Sequence, residues 1–564
     1  MSSLFSILCI ASLQAVSTNS IPEKRPSIED KIIVSNDIKS SDSIAADILF
    51  SFTLDESLSR EEKIMGYSNF TSYKSRALSK SNLKYTTLVA AKTIPAITLY
   101  YDEISLEEIE TRLIDYFDYY EIESIILRRI STYSSLDGTY HMGDFVENEQ
   151  VKDRQDDRSF VDYRNIPYDR YEPTTYTGQG VKIGVVESGP IDPNHWNFSD
   201  TTIHLVNVGT KDSSIDTTLN HADEVLSVLT GKYGLAPRAE IYLINGDLYP
   251  YSGYHYLDYF AYVGVDVVNL SLGSDGTFFH PYCNYITYAY QIPLVAACNN
   301  ETYEYLEQPA SAQNVISVCS VNTDYTIASG SNIRDPNDNH GVSNNFRIAA
   351  VGGHRSTNVY GIMDDLCGTS FAAPAVTGTI ALMMEKNPSM KGDVALVMAT
   401  LSNGADNTLV DPTIPSEYGV YDSLPDTLSG LRSWSGVGCL DIRQTMWLAG
   451  FAATPYVNLT SYSETYLFDI NDVQPGQRLY TSHAWLQKVS TGSVNYIEDT
   501  LSDYDLRLYD SYNNLLYQTY ASDVNVERHF YTFSSAGNYI MKVKTYYSSY
   551  TTNGRYSVVC HRAI

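Results

Sequence analysis

Five short runs between about Arg164 and Gly450 constrain this chain most: VKIGVVESG, AEIYLING, VDVVNLSLG, PLVAACNN and NVISVCSVN. Each is of the near-continuously apolar kind that a strand buried on both faces requires. Segments with helical spacing separate the runs, so tight hairpins cannot join them. The expectation is an α/β unit over 164–452, a parallel sheet flanked by helices. With 564 residues the chain has room for three or four folding units. Hydrophobic residues make up 43% and charged residues 19%, which excludes a wholly disordered chain.

The flanks read differently. Beyond about Ala453 the helical patterns end, and Tyr, Thr, Val and Leu alternate between the turn signals QPGQ, DSYNN and SSAGN. An antiparallel β-sandwich, separate from the α/β unit, is expected over 453–564. Upstream, IPAITLYYDE alternates like a strand, ISLEEIETRLIDYF has helical spacing and IESIILRRIST alternates again, giving an α+β unit over 18–136. Ser105 followed by Glu108 has the spacing of a capping box at the head of that helix. The charged stretch HMGDFVENEQVKDRQDDRSF suits an exposed linker and cleavage zone over 137–163. Residues 1–17 hold an apolar run from Leu4 to Leu13, then Ala15 and Ser17 spaced as before a signal-peptidase cut. They read as an export signal, so the product is expected to be secreted or on the extracellular surface. No later stretch approaches the length of apolar residues that spans a membrane.

Charge and cysteine content narrow the function further. Against 67 Asp+Glu stand 38 Lys+Arg, a formal charge of −29 that repels polyphosphate and anionic lipid, so no nucleic-acid partner is expected. The seven cysteines are scattered singly with no C-x-x-C spacing, which indicates neither a zinc knuckle nor a dense disulfide scaffold. Buried thiols, with one or two bridges at most, are expected.

The peptide GTSFAAPAVTGTIALMM, Gly368–Met384, carries the most chemistry. It sets a serine, Ser370, at the start of a small-residue helix, beside orphan backbone N–H groups whose dipole favours negative charge. Pro374 is tolerated only near a helix beginning, which supports that start. Taken alone, Ser370 fits a packing helix equally well. A serine nucleophile needs a base, and LNHADEVLSVLTG puts His221 at the head of a helix. The strand VKIGVVESG delivers Glu187 to the C-terminal sheet edge, where open α/β sheets bind ligands. PLVAACNNE delivers Asn299 and Asn300 to the same edge, where an amide can donate to an oxyanion.

In this order of acid, histidine and serine, the set resembles the subtilisin family of serine endopeptidases. The resemblance runs from about Val181 to Leu448, with GTSFAAPAVTG its most specific block. GLAPRAEIYLI, VDVVNLSLG and QPASAQNVISV follow the family in order and spacing. It implies Ser370 as nucleophile, His221 as general base and then acid, Glu187 as the orienting carboxylate and Asn300 as oxyanion donor. Ser271, Leu272 and Gly273 would pair with extended substrate backbone. Asn299 would line the primary specificity pocket, and Glu307 would lie near its floor, where a carboxylate suits a basic side chain. The partners implied are a protein or peptide substrate and the chain's own N-terminal unit as an inhibitory propeptide. A monomer is expected. The chemistry needs no cofactor. Asp503 and Asp505 in the tail are capable calcium ligands, but no metal is assigned. The tail resembles a prepeptidase C-terminal β-sandwich.

Three departures from the family stand out. Glu187 replaces an Asp, Asn299 replaces a Gly, and Ala222, Asp223 and Glu224 replace the usual residues after the histidine. Glu187 and the altered residues after His221 keep open a second reading, a catalytically impaired relative that binds peptides or serves surface adhesion.

Overall fold

The computed structural model describes residues 28–34, 44–52, 54, 58–101, 104–129, 175–187, 191, 193–206, 221–232, 234–245, 253–273, 279–300, 309–322, 328, 331, 346–357, 363–366, 368–406, 436–455, 459–489, 501–521, 524–548 and 556–563. Residues 1–17, the 137–163 linker and Glu307 lie outside them.

The first unit holds β1 (Ile32–Val34), β2 (Ile44–Phe50), α1 (Arg60–Ser79), β3 (Thr87–Ala90), β4 (Ala96–Tyr101), α2 (Leu106–Tyr116) and β5 (Ile122–Arg129). Its sheet runs β1-β5-β2-β4-β3, with β2 antiparallel to both neighbours. The expected β4-α2-β5 unit is therefore split, because β2 inserts between its strands. Helix α1 has no counterpart in the sequence reading: only Tyr67, Thr71 and Leu78 of its 20 residues are buried, too few for an apolar stripe. A complete capping box starts it, Ser59 Oγ accepting from Glu62 N while Glu62 accepts from Ser59 N. At Ser105 only half of the expected box forms. Its hydroxyl accepts from Glu108 N, but the Glu108 carboxylate turns instead to Arg112.

The second unit comprises β6 (Lys182–Glu187), β7 (Thr202–Val206), α3 (His221–Thr230), β8 (Glu240–Asn245), α4 (Gly253–Val263), β9 (Val267–Leu270), α5 (Phe279–Tyr290), β10 (Leu294–Ala297), β11 (Ile316–Val321), β12 (Arg347–Val351), the hairpin β13 (His354–Thr357) and β14 (Met363–Leu366), α6 (Thr369–Lys386), α7 (Val394–Gly404) and α8 (Ile442–Ala449). Seven strands form one sheet, β12-β11-β10-β9-β6-β8-β7, with every neighbour parallel. The five apolar runs are its five inner strands. The edge strands β7 and β12 escaped the sequence reading: β7 is half exposed, and β12 opens on an arginine.

One face of the sheet packs on α3 and α6, and the other on α4 and α5. Helix α6 is buried from Thr369 to Met384. Its small residues follow from close contact: a Cβ added at Gly378 would lie 2.6 Å from Leu235 Cβ.

The third unit is built of strands β15 (Glu464–Val473), β16 (Arg478–Trp485), β17 (Asp503–Asp510), β18 (Leu515–Gln518), β19 (Val526–Thr532), β20 (Gly537–Tyr547) and β21 (Tyr556–Ala563). They form two antiparallel sheets, β15-β20-β17-β18 and β19-β16-β21. Trp485, Tyr504, Phe533, Met541, Val543 and Tyr556 fill the space between them. The sandwich is less separate than its sequence suggests. Ala484, Leu486, Val526 and Val559 belong to the same apolar core as α6 and α7. Asn403 on α7 donates to Val559 O at 3.0 Å, and Arg528 donates to Val437 O at 2.6 Å.

Candidate active site

Strands β10, β9 and β6 are neighbours in that order, so the residues leaving their C-terminal ends meet at one sheet edge. Glu187 is the last residue of β6, Ser271–Gly273 follow β9, and Asn299–Asn300 follow β10. The starts of α3 and α6 bring His221 and Ser370. The His221 ring lies tilted against that of Phe371, the neighbour of Ser370, with centroids 5.5 Å apart.

Glu187 Oε2 lies 2.7 Å from His221 Nδ1, with both side chains buried. A carboxylate only accepts, so Nδ1 carries the proton and Nε2 is left with the lone pair a base needs. The longer acid thus reaches the imidazole without loss of hydrogen-bond geometry.

Ser370 is held from the β9 side. Its hydroxyl points to Ser271 O at 3.4 Å, while Ser271 Oγ donates to Ser370 O at 2.7 Å. Behind Ser271, Asn269 Nδ2 donates to Ser271 Oγ at 2.9 Å, and Thr377 Oγ1 donates to Asn269 Oδ1 at 2.9 Å. This buried chain ties the middle of α6 to the strand that carries the substrate-pairing segment. Sequence reasoning missed Asn269 and Thr377. The signal was the one polar residue of the fully buried strand VVNL, Asn269, since a buried amide must find partners.

Asn300 Oδ1 accepts from Thr369 N at 2.9 Å and from Thr369 Oγ1 at 3.0 Å. Its oxygen is thereby committed to the α6 start, and donation falls to Nδ2, the end an oxyanion requires. Asn299 has φ 90°, the conformation a glycine would adopt most easily and one that Asn tolerates better than other residues. Its Oδ1 accepts from Asn300 N at 2.5 Å, which stabilises the turn. Asn299 thus takes a backbone conformation that a glycine would also adopt. Gly368, at φ 146°, caps α6, and a Cβ there would come 3.3 Å from Asn300 Oδ1. Leu272 and Gly273 are buried beside Ser271, and Asp223 and Glu224 are buried in the first turn of α3.

A second contact region lies on the opposite face of the sheet. Asp258 of α4 accepts from Lys92 N, Thr93 N and Thr93 Oγ1 in the β3–β4 turn of the first unit. Tyr290 of α5 donates to Thr93 O at 2.5 Å, and Arg60 of α1 donates to Ala261 O at 2.6 Å, near the α4 C-terminus, where a cation is favoured. Burial pushes the Asp258 carboxyl above its ordinary range, opposed by the hydrogen bonds from Thr93 and Lys92.

Among the described residues no group of three or more His, Cys, Asp or Glu is arranged to hold a metal ion. In the sandwich, burial, with Glu527 and Asp503 nearby, pushes the Asp505 carboxyl up to about 8. No helix among the described residues is long and apolar enough to cross a membrane. A cavity of 820 Å³ opens where α7 and α8 meet the sandwich, lined by Trp447, Tyr480, Arg528 and His561 among others; none of the candidate site residues lines it.

Comparison with known proteins finds that residues 178–420 match the model of the Subtilase family, Peptidase_S8. The human membrane-bound transcription factor site-1 protease is 27% identical over 231 residues, which cover 37% of this chain and 21% of that protein. Subtilisin DY of Bacillus licheniformis is 26% identical over 257 residues, 43% of this chain and 89% of that protein. Among solved structures, prenylagaramide maturation protease PagA superposes with a TM-score of 0.38 at 22% identity, over 47% of this chain and 93% of that one.

Proposed function

Starting from a chain whose residues 178–420 form a subtilase-family domain, we propose that it is a serine endopeptidase working through a covalent Ser370 ester. What carries this reading is the buried 2.7 Å hydrogen bond from His221 Nδ1 to Glu187, at the sheet edge shared with Ser370 and Asn300. In the acylation step His221 Nε2 takes the Ser370 hydroxyl proton while Oγ bonds to the scissile carbonyl carbon. Asn300 Nδ2 and the α6 N-terminus hold the negative oxygen that results. The proton then passes from His221 to the leaving amine as the C–N bond breaks. Water, deprotonated by the same imidazole, releases the acyl group and restores Ser370. Glu187 fixes the tautomer throughout and stabilises the imidazolium. Extended substrate adds a strand against Ser271–Gly273, which favours backbone recognition over a single side chain. Asn299 borders the primary pocket in this reading.

The first unit acts as the propeptide that holds the enzyme inactive until the 137–163 linker is cut, and its docking through Asp258 supports that role. With residues 1–17 as an export signal, the product acts outside the cell as a monomer. Calcium, if bound, is structural. The test is labelling of the mature protein by a fluorophosphonate, read by intact mass beside Ser370→Ala. Adduct formation that needs Ser370 is the expected result. A folded, processed protein that stays unlabelled would overturn the catalytic reading in favour of a peptide-binding relative.

A further inference from the structure

Cysteines 298 and 319 stand immediately beneath the Asn299–Asn300 turn. Cys298 continues the β10–β11 ladder past the Ala297–Val318 pair, donating its N–H to Val318 O at 3.0 Å, so it sits in register with Cys319. Their sulfurs are 3.3 Å apart, and both residues are fully buried in the central apolar core. Among the described cysteines this is the one pair whose sulfurs touch. In-register residues on adjacent strands lie about 4.8 Å apart, inside the roughly 4.4–6.8 Å that Cα atoms of a disulfide span. Closing the bond needs the sulfurs to approach to about 2.05 Å, a movement that side-chain rotation can share between two residues.

We propose that Cys298 and Cys319 form a disulfide site that closes when the chain folds in an oxidising compartment and clamps the root of the oxyanion turn to β11. The sulfur–sulfur bond forms as both S–H bonds break. Two electrons pass to the disulfide of a thiol oxidoreductase, or to oxidised glutathione, and the two protons end on the pair of thiols this releases. The exchange occurs before β10 and β11 close. Afterwards burial excludes the oxidant and pushes the Cys298 thiol up, leaving no thiolate to attack. The bond closes a 21-residue separation that contains the whole Asn299–Asn300 turn. It restricts the unfolded chain and the turn together.

The experiment uses the full chain produced in an oxidising host, alkylated under denaturing conditions and mapped without reductant after a glutamate-specific protease. That protease can cut at Glu301, Glu304 or Glu307, between the two cysteines. The expected result is a linked pair of peptides containing Cys298 and Cys319, lighter by two hydrogens than the separate thiols and resolved by reductant. Either Cys319→Ala or Cys298→Ala should lower the melting temperature by roughly 5–10 °C, with no further loss on adding reductant. Alkylation of both cysteines as thiols in the folded preparation, or linkage of either to another cysteine, overturns the proposal. Mapping the parent chain decides this even if neither variant folds, and it is independent of whether Ser370 is catalytic.

Discussion

Asp258 offers a quantitative test of how the first unit is held. Its carboxylate receives Lys92 N at 2.8 and 3.0 Å, Thr93 N at 2.7 Å and Thr93 Oγ1 at 2.7 Å. Asp258→Ala would leave these donors facing a methyl group inside a buried contact. An orphaned buried donor costs about 1–3 kcal/mol. The threonine hydroxyl can rotate to another acceptor, and the desolvation that pushes the Asp258 carboxyl up offsets part of what the contact contributes. Counting only the two amides at about 1.5–2 kcal/mol each gives about 3–4 kcal/mol, or roughly 10²–10³-fold in the equilibrium between docked and open first unit. The assay is hydrogen exchange of the full chain in a Ser370→Ala background, which prevents self-cleavage, following peptides from β4 and α4. Protection there should fall by that factor in Asp258→Ala, and by roughly tenfold in Asp258→Asn, which keeps an acceptor but loses the charge. If protection in the alanine variant stays within about threefold of the parent, the carboxylate does not hold the interface and the reasoning fails.

Other perturbations follow from the same geometry. Glu187→Gln should lower kcat on a peptide ester by roughly 10³–10⁴-fold with little change in KM, because the imidazole loses its orientation; a loss below about tenfold would mean that another group holds His221. Gly378→Ala, which in an exposed helix would stabilise by up to about 1 kcal/mol, should here destabilise by about 1–3 kcal/mol against the wall of Leu235; a higher melting temperature would contradict the close contact between α6 and the segment after α3. Burial, aided by Arg528, pushes the His561 imidazole down to about 4 from its usual 6.5. Below pH 6.5 the unfolded chain therefore takes up a proton that the folded one refuses, so His561 contributes stability above 6.5 that is lost as pH falls toward 4. After allowance for partial solvent screening the loss is about 2–3 kcal/mol, read from urea midpoints, and His561→Gln should flatten it.

Much of the fold can be read from local pattern. The inner strands of the parallel sheet announce themselves because burial on both faces forces an unbroken apolar run. In the sandwich, β20 shows the alternation that one buried face forces, while β16, β19 and β21 carry longer buried stretches because their sheet also packs on the α6 and α7 core. Helix α2 shows an apolar stripe around Ile109 and Leu113, whereas α1 packs through so few residues that its sequence looks like a solvated segment. Strand β7 stayed hidden because it lies half exposed at an edge, whereas β12, buried throughout, is a short run that opens on an arginine. The insertion of β2 between β4 and β5 depends on pairing between distant segments, which no local period records. For the candidate site, Glu187, His221, Asn300 and Ser370 could be nominated from their places at strand and helix ends. The partnership of Asn269 with Thr377 could not, since a hydrogen bond across more than 100 residues leaves no trace in spacing.

Local pattern thus marked the inner strands of the parallel sheet, the sandwich region and α2, with the chemical groups at their ends, because burial and capping act over a few residues; α1, β7 and β12 carry too weak a local signal. Only the tertiary structure decided that Glu187 reaches His221 despite its extra methylene, that Asn299 takes the turn of a glycine, and that Cys298 meets Cys319. The same holds for Asp258, whose carboxylate is anchored by two backbone amides of the first unit. These are contacts at ångström scale between groups far apart along the chain, set by strand register and helix packing.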